Sequence, residues 1–274
     1  MNARPAPDCP ADLDRHSRTL TVFKTPDVEI VGLRLDSPAD VSADVWPLLS
    51  GDEQRRAERF RYPEHRRRYV LARAGLRRLL AERLSISARA IELIENGYGK
   101  PKLSCTHKPA RLEFNLSHSE NVAIYAFTNG HAVGVDVELI RQIPDASDLA
   151  ENFFSPYEIA SIKSLPIEQR SLAFLNCWTR KEAFVKALGL GLSCPLDAFD
   201  VTIEPHTPAR ITRIEARIGD PAHWRLQAFI PYPRYVAAVA YRTSDGAACH
   251  LADPETHFQL AQHEQDAHAS ALIH

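Results

Sequence analysis

The stretch VGVDVE, residues 133–138, holds two acids whose spacing raises a chemical question. In a strand, Asp136 and Glu138 share one side, roughly 7 Å apart and beside the small Gly134, while Val133, Val135 and Val137 take the other. Each carboxylate raises the cost of ionising its neighbour. A solvated outer face tolerates such a pair at little cost. A hard cation, which takes oxygen ligands, would turn the repulsion into chelation.

Three further stretches carry residues with chemical potential. In CWTRKEAFVKALG, Trp178, Glu182 and Lys186 follow at i, i+4 and i+8 and so line one helical face, with Lys181 beside it. An exposed Glu182–Lys186 pair would add roughly a few tenths of a kcal/mol. That reading leaves the tryptophan and the apolar surround of Phe174, Leu175, Ala183, Phe184 and Val185 without a reason. In FNLSHS, Ser117 and His118 close a strand that also carries Asn115. A single histidine there is more often packed or solvated than functional. In YGKP, Gly99 lets the backbone approach a ligand and Lys100 follows it.

These residues need elements to position them. VEIVGLRL (28–35) alternates as a strand, and SGDEQRRAERF opens a helix with Ser50 as cap and Glu53 at the capping-box position. Apolar residues at helical spacing over 66–84 predict a helix with a basic outer face. IELIENGYGKPKL predicts a strand entering a loop. LEFNLSHSENVAIYAFTNGHAVGVDVELI predicts three strands, with TNGH as a hairpin turn. A short helix near SPYEIASIKSL and a long one over 168–189, stopped by Gly189, come next. VTIE, WRLQAFI and YVAAVAY supply the last strands. Helix followed by strands thus occurs twice, with a seam near 129–133. The expected organisation is a loose segment at 1–20, subdomains at 21–130 and 131–245, and a polar, His-dotted tail at 246–274.

Bulk properties narrow the classes. The 274 residues are 45% hydrophobic and 25% charged with a net charge of −2, so overall electrostatics do not select nucleic acid. Arginines cluster over 55–83, either as a solvated helix face or as a phosphate receptor. Five cysteines without CxxC spacing favour neither disulfides nor zinc. No signal peptide or membrane-length apolar run is present, and a cytoplasmic protein is expected. The three tryptophans, Trp46, Trp178 and Trp224, are expected in the core.

In order, GKP, FNLSHS, GVDVE, FFSPYE and WTRKEAFVKALG resemble the 4′-phosphopantetheinyl transferases, specifically the longer, surfactin-synthetase-activating type. The resemblance covers roughly residues 45–200. It implies an α+β fold of two similar subdomains related by a pseudo-twofold, in a monomer, with the nucleotide between them. It also implies transfer of the phosphopantetheine arm of coenzyme A to a serine of an apo acyl or peptidyl carrier protein, releasing adenosine 3′,5′-bisphosphate. Magnesium, or manganese in its place, would be held by Asp136, Glu138 and Glu182. Asp136 would thereby also serve the bound coenzyme A. Lys186 would reach the phosphates, and Glu182 or a water on the metal would take the serine proton. Ser117 and His118 match positions that hold the 3′-phosphate, and Lys100 matches another nucleotide contact. Arg68, and with weaker support Arg56, are further phosphate partners. Glu53 departs from the family pattern, where relatives often place a lysine, and Glu158 matches a supportive acidic position. Two other classes use similar residues: a metal-dependent phosphodiesterase, and a binding module that has lost catalysis. The net charge and the absence of a basic-aromatic surface count against the first, and the retention of both Glu182 and Lys186 against the second.

Overall fold

The computed structural model describes residues 19–36, 44–107, 111–204 and 207–243. The expected His-dotted tail lies outside them, as does most of the expected loose amino-terminal segment. Strand β1 (Thr19–Lys24) already begins within that segment's last two residues.

The mixed α+β architecture is built from one topology used twice. The first half runs β2 (Glu29–Arg34), α1 (Gly51–Glu58), α2 (Pro63–Leu84), a small β3–β4 pair (Leu93–Glu95, Pro101–Leu103), then β5 (Leu112–Ser119) and β6 (Val122–Asn129). The second runs β7 (Val133–Leu139), α3 (Ala146–Phe153), α4 (Pro156–Ser164), α5 (Ile167–Leu188), a small β8–β9 pair (Phe199–Val201, Ile211–Ile214), then β10 (Trp224–Phe229) and β11 (Tyr235–Arg242). Their sheets are ordered β1-β2-β6-β5 and β10-β11-β7, with every pairing antiparallel. In each, the half's last strand lies between its first strand and its penultimate one.

Alternation explains the layering. Ile30, Val122, Ile124 and Ala126 of one sheet pack on Val133, Val135, Val137, Ala237 and Val239 of the other, forming a dry layer between them. The opposite face of the first sheet meets α2 through Val31, Leu33, Tyr125 and Leu76, and that of the second meets α5 through Ala238, Ala240, Ala183 and Phe184. The result is helix, sheet, sheet, helix.

Several expectations change on folding. TNGH does not close a hairpin, because β6 already has β2 on one edge and β5 on the other. The turn instead carries the chain across to the second sheet, where β7 pairs with β11. The tight hairpin is β5–β6, turned at Glu120, which takes the left-handed φ of +47°. Helix α2 is not simply basic outside and apolar inside, since Arg77 is only 2% exposed. Helix α3 has no counterpart among the expected helices, and VTIE contributes only Val201 to a strand. The tryptophans are partly buried against the cores. The described cysteines, Cys105, Cys177 and Cys194, are free thiols. No described helix is long and apolar enough to cross a membrane.

Candidate active site

Strand β7 and helix α5 meet unusually closely. A Cβ on Gly134 would lie 2.1 Å from the Ala183 carbonyl oxygen and 2.2 Å from the Ala187 nitrogen, so only glycine admits the helix backbone here. Asp136 and Glu138 continue that face of β7, and Trp178, Glu182 and Lys186 follow the facing line of α5. The helix ends where expected, with Gly189 at φ +71° and its N–H donating to the Val185 carbonyl.

A cleft of about 420 Å³ opens at this junction. It gathers Ser117, His118, Asp136, Glu138, Glu182 and Lys186, with Leu116 and Trp178 as its apolar wall. Phe174 stacks on Trp178 at 6.1 Å, and Phe153 meets it edge-on at 5.7 Å.

The electrostatics are lopsided. Asp136 is 4% exposed, and its Oδ1 accepts from Lys186 Nζ at 2.6 Å and from Ser117 Oγ at 2.8 Å. Its Oδ2 is buried without a hydrogen-bond partner. Burial raises the pKa of Glu138, the nearby Asp136 adds to the rise, and a 2.8 Å bond from Ser119 Oγ opposes it. Burial likewise raises Glu182; Lys186 counters this, while Asp136 and Glu138 reinforce it. One lysine therefore faces three carboxylates. An orphaned buried oxygen, an excess of negative charge and an all-oxygen donor set fit a hard divalent cation. Among the described residues no three potential ligands are already gathered as a metal site. Lys186 lies against Asp136 instead.

His118 sits at the cleft mouth. Its surface is exposed, yet the protein crowding around the ring lowers its pKa, and the positive charges of Lys186, Arg68 and Arg73 lower it further. An arriving phosphate would reverse that balance.

Three residues expected as nucleotide contacts lie outside the cleft lining. Lys100 donates to the Val133 carbonyl at 2.8 Å, and burial lowers its pKa to about 8. Arg68 holds the β5–β6 turn, with Nε on Asn121 Oδ1 at 3.1 Å and Nη2 on Glu120 at 2.8 Å and Glu64 at 3.3 Å. Arg56 is exposed and 3.5 Å from Glu95. Glu53 takes no ligand-facing place. It is the buried capping-box partner of Ser50 and accepts from Arg77 Nε at 2.6 Å.

Sequence reasoning noted Lys181 and Glu158 but not their pairing, and it passed over Ser119. Lys181, beside Glu182, is completely buried and paired with Glu158 at 2.7 Å. Ser119 holds Glu138. The first carried a signal, since SPYE is a capping box that recurs from SGDE; the second carried only its alternation with Ser117.

Sequence comparison decides the family. A profile of the 4′-phosphopantetheinyl transferase superfamily matches residues 132–240, and one for the amino-terminal part of a 4′-phosphopantetheinyl transferase matches 39–129. The chain is 36% identical to the 4′-phosphopantetheinyl transferase HetI of Nostoc over 214 residues, 78% of this chain and 87% of HetI. It belongs to the 4′-phosphopantetheinyl transferase superfamily. As a superfamily member it is an enzyme of the transferase class. It is also 32% identical to 4′-phosphopantetheinyl transferase psf-1 of Bacillus pumilus, covering 72% of this chain and 80% of psf-1. Identity to Sfp of Bacillus subtilis is 26%, over 70% of this chain and 89% of Sfp.

Proposed function

We propose that this transferase moves the 4′-phosphopantetheine arm of coenzyme A onto a serine of an apo acyl or peptidyl carrier protein and releases adenosine 3′,5′-bisphosphate. The observation that carries the reading is Asp136 Oδ2, a buried and unpartnered carboxylate oxygen among two further carboxylates and one lysine. Asp136, Glu138 and Glu182 would hold Mg²⁺, or Mn²⁺, which when bound supplies charge neutralisation for a pyrophosphate.

In the reaction, the serine Oγ forms a bond to the phosphorus bearing the pantetheine arm, and the phosphoanhydride bond to the nucleotide phosphate breaks. The departing phosphate carries away the electron pair. The serine proton goes to Glu182, directly or through water. Lys186 leaves Asp136 for the phosphate oxygens, and its charge stabilises the leaving group. Ser117 and His118 take the 3′-phosphate. Lys100 orders the backbone at Val133 as β7 begins, and Arg68 adds positive potential around His118.

We read residues 21–130 and 131–245 as the two subdomains. One chain supplies both walls of the cleft, which supports a monomer. Its near-neutral net charge and free thiols support a cytoplasmic enzyme without nucleic-acid or membrane partners. The test is intact-mass measurement of apo carriers from fatty-acid, polyketide and peptide synthesis incubated with the enzyme, coenzyme A and Mg²⁺. One phosphopantetheine increment on at least one carrier is expected, lost with excess chelator and with Asp136→Ala. No increment on any carrier overturns the activity, and full turnover in chelator overturns the metal's role.

A further inference from the structure

The two sheets abut along an edge that backbone hydrogen bonds do not close. Strands β5 and β7 end their respective sheets, and neither pairs with the other. An exposed strand edge leaves donors and acceptors unsatisfied. Here alternate residues of β5 fill the gap with side chains. Asn115 Oδ1 accepts from the Val135 N–H at 2.9 Å, Ser117 Oγ donates to Asp136 at 2.8 Å, and Ser119 Oγ donates to Glu138 Oε2 at 2.8 Å. Ser119 Oγ also accepts from the Leu139 N–H at 3.2 Å. The rungs advance in the same direction on both strands, so they form a parallel ladder made of side chains.

These three residues occupy the face that β5 shares with Ala126, Ile124 and Val122, their cross-strand neighbours, which belong to the dry layer between the sheets. Polar residues there are costly unless bonded. All three are bonded, and all to the strand that carries the acids.

We infer that Ser119 is a positioning residue for Glu138. It is the last rung of a side-chain ladder that ties the cation-binding strand of one half to the anion-binding strand of the other. Ser119 touches no reacting atom. By bonding one Glu138 oxygen and the next backbone N–H together, it fixes the carboxylate's direction and leaves the other oxygen for the cation. The inference rests on the proposed role of Glu138 as a metal ligand.

The experiment measures Mn²⁺ bound by the enzyme in the presence of coenzyme A, from the loss of the free-Mn²⁺ electron paramagnetic resonance signal, alongside the Mg²⁺ dependence of transfer. Ser119→Ala is compared with Ser119→Thr and with Ser104→Ala. Ser104 makes a similar bond, Oγ to Glu92 Oε2 at 3.0 Å, beside the β3–β4 pair and outside the cleft lining, and so controls for the loss of a serine–carboxylate bond. Ser119→Ala should weaken Mn²⁺ binding and raise half-saturating Mg²⁺ at least threefold, with the rate largely recovered at high Mg²⁺. Ser119→Thr and Ser104→Ala should match wild type. Equal Mn²⁺ binding by Ser119→Ala and Ser104→Ala overturns the positioning role. A wild-type enzyme that binds no Mn²⁺ overturns the metal reading beneath it, and the inference falls with it.

Discussion

The two halves solve one packing problem with different residues. Each has a short helix begun by a capping box, Ser50–Glu53 in one and Ser155–Glu158 in the other. Each capping glutamate is buried against a cation from its long helix, Arg77 or Lys181. Each cation then donates to the first carbonyl of a one-turn helix and to that of the residue capping its end: Ala88 and Ile91 of the turn 88–90 in the first half, Leu196 and Phe199 of the turn 196–198 in the second. Above this shared clamp the halves diverge. On its helix-facing side β2 carries Val31 and Leu33, with Leu35 just beyond its end, all in the core. The corresponding side of β7 carries Gly134, Asp136 and Glu138. The close approach of strand to helix is made by Gly75 on the helix in the first half, against Leu33 and Tyr125, and by Gly134 on the strand in the second. The clamp is the common scaffold, and the chemistry lies in what the neighbouring strand presents.

The sharpest way to break that equivalence is to cut both clamps. Lys181→Met strands the fully buried Glu158, a change that costs about 3–5 kcal/mol, whereas Arg77→Met leaves Glu53 with Arg73 at 3.7 Å. Denaturant unfolding should register a loss for both, larger for Lys181→Met. At a temperature where both variants remain folded, only Lys181→Met should depress transfer strongly, because its neighbour Glu182 faces the cleft. Equal catalytic loss in the two would mean that the clamps serve the whole fold alike.

A division of labour gives the next test. His118 stands on the first half and the acids on the second. His118→Ala should weaken coenzyme A by about 1.5–3 kcal/mol, the worth of a charge-assisted hydrogen bond, and leave 3′-dephospho-coenzyme A nearly unaffected. Calorimetric titration of both ligands decides it. Equal weakening of both would make His118 a packing residue.

The smallest expected effect concerns stability. The folded-state pKa of Glu182 is raised, so the fold binds its proton more readily than the unfolded chain. In chelator its contribution therefore becomes more favourable as pH falls from neutral through the raised value towards the unfolded value near 4.5. Glu182→Gln should remove this dependence and slightly stabilise the protein at pH 7 without divalent cation. Thermal unfolding across pH 5–7 reads the difference. A less stable glutamine variant would mean that the ionised carboxylate is already well accommodated.

How much of this was legible depended on whether a residue's partner was near in sequence. Strands β5 and β7, helix α5 and its stop at Gly189 followed from periodicity and capping, which are local. The gathering of Ser117, His118, Asp136, Glu138, Glu182 and Lys186 followed from the ordered motifs. TNGH misled because a turn signal describes its four residues, not which strand has a free edge. Lys181 looked like one more cation on a charged helix, since Glu158, its partner, is 23 positions away. Lys100 was expected to await the nucleotide and Arg68 a phosphate, and the fold gives them Val133 and Glu120. Ser119 showed only its alternation with Ser117, because its partner belongs to the other half.

The order of strands in the second sheet also bears on when the enzyme becomes competent during synthesis. Among the described strands β7 has one backbone partner, β11, whose Val236 and Ala238 lie opposite Glu138 and Asp136. The acids are made near the middle of the chain, but the strand that anchors them ends at Arg242. A ribosome-bound chain halted before residue 235 would display every cleft residue, with β7 held by helix α5 and by side chains of β5 but by no partner strand. Domains form as units while the chain emerges amino-terminus first. Activity should therefore appear late and abruptly in a series of arrested chains, with the emergence of the last strand rather than of the last catalytic side chain.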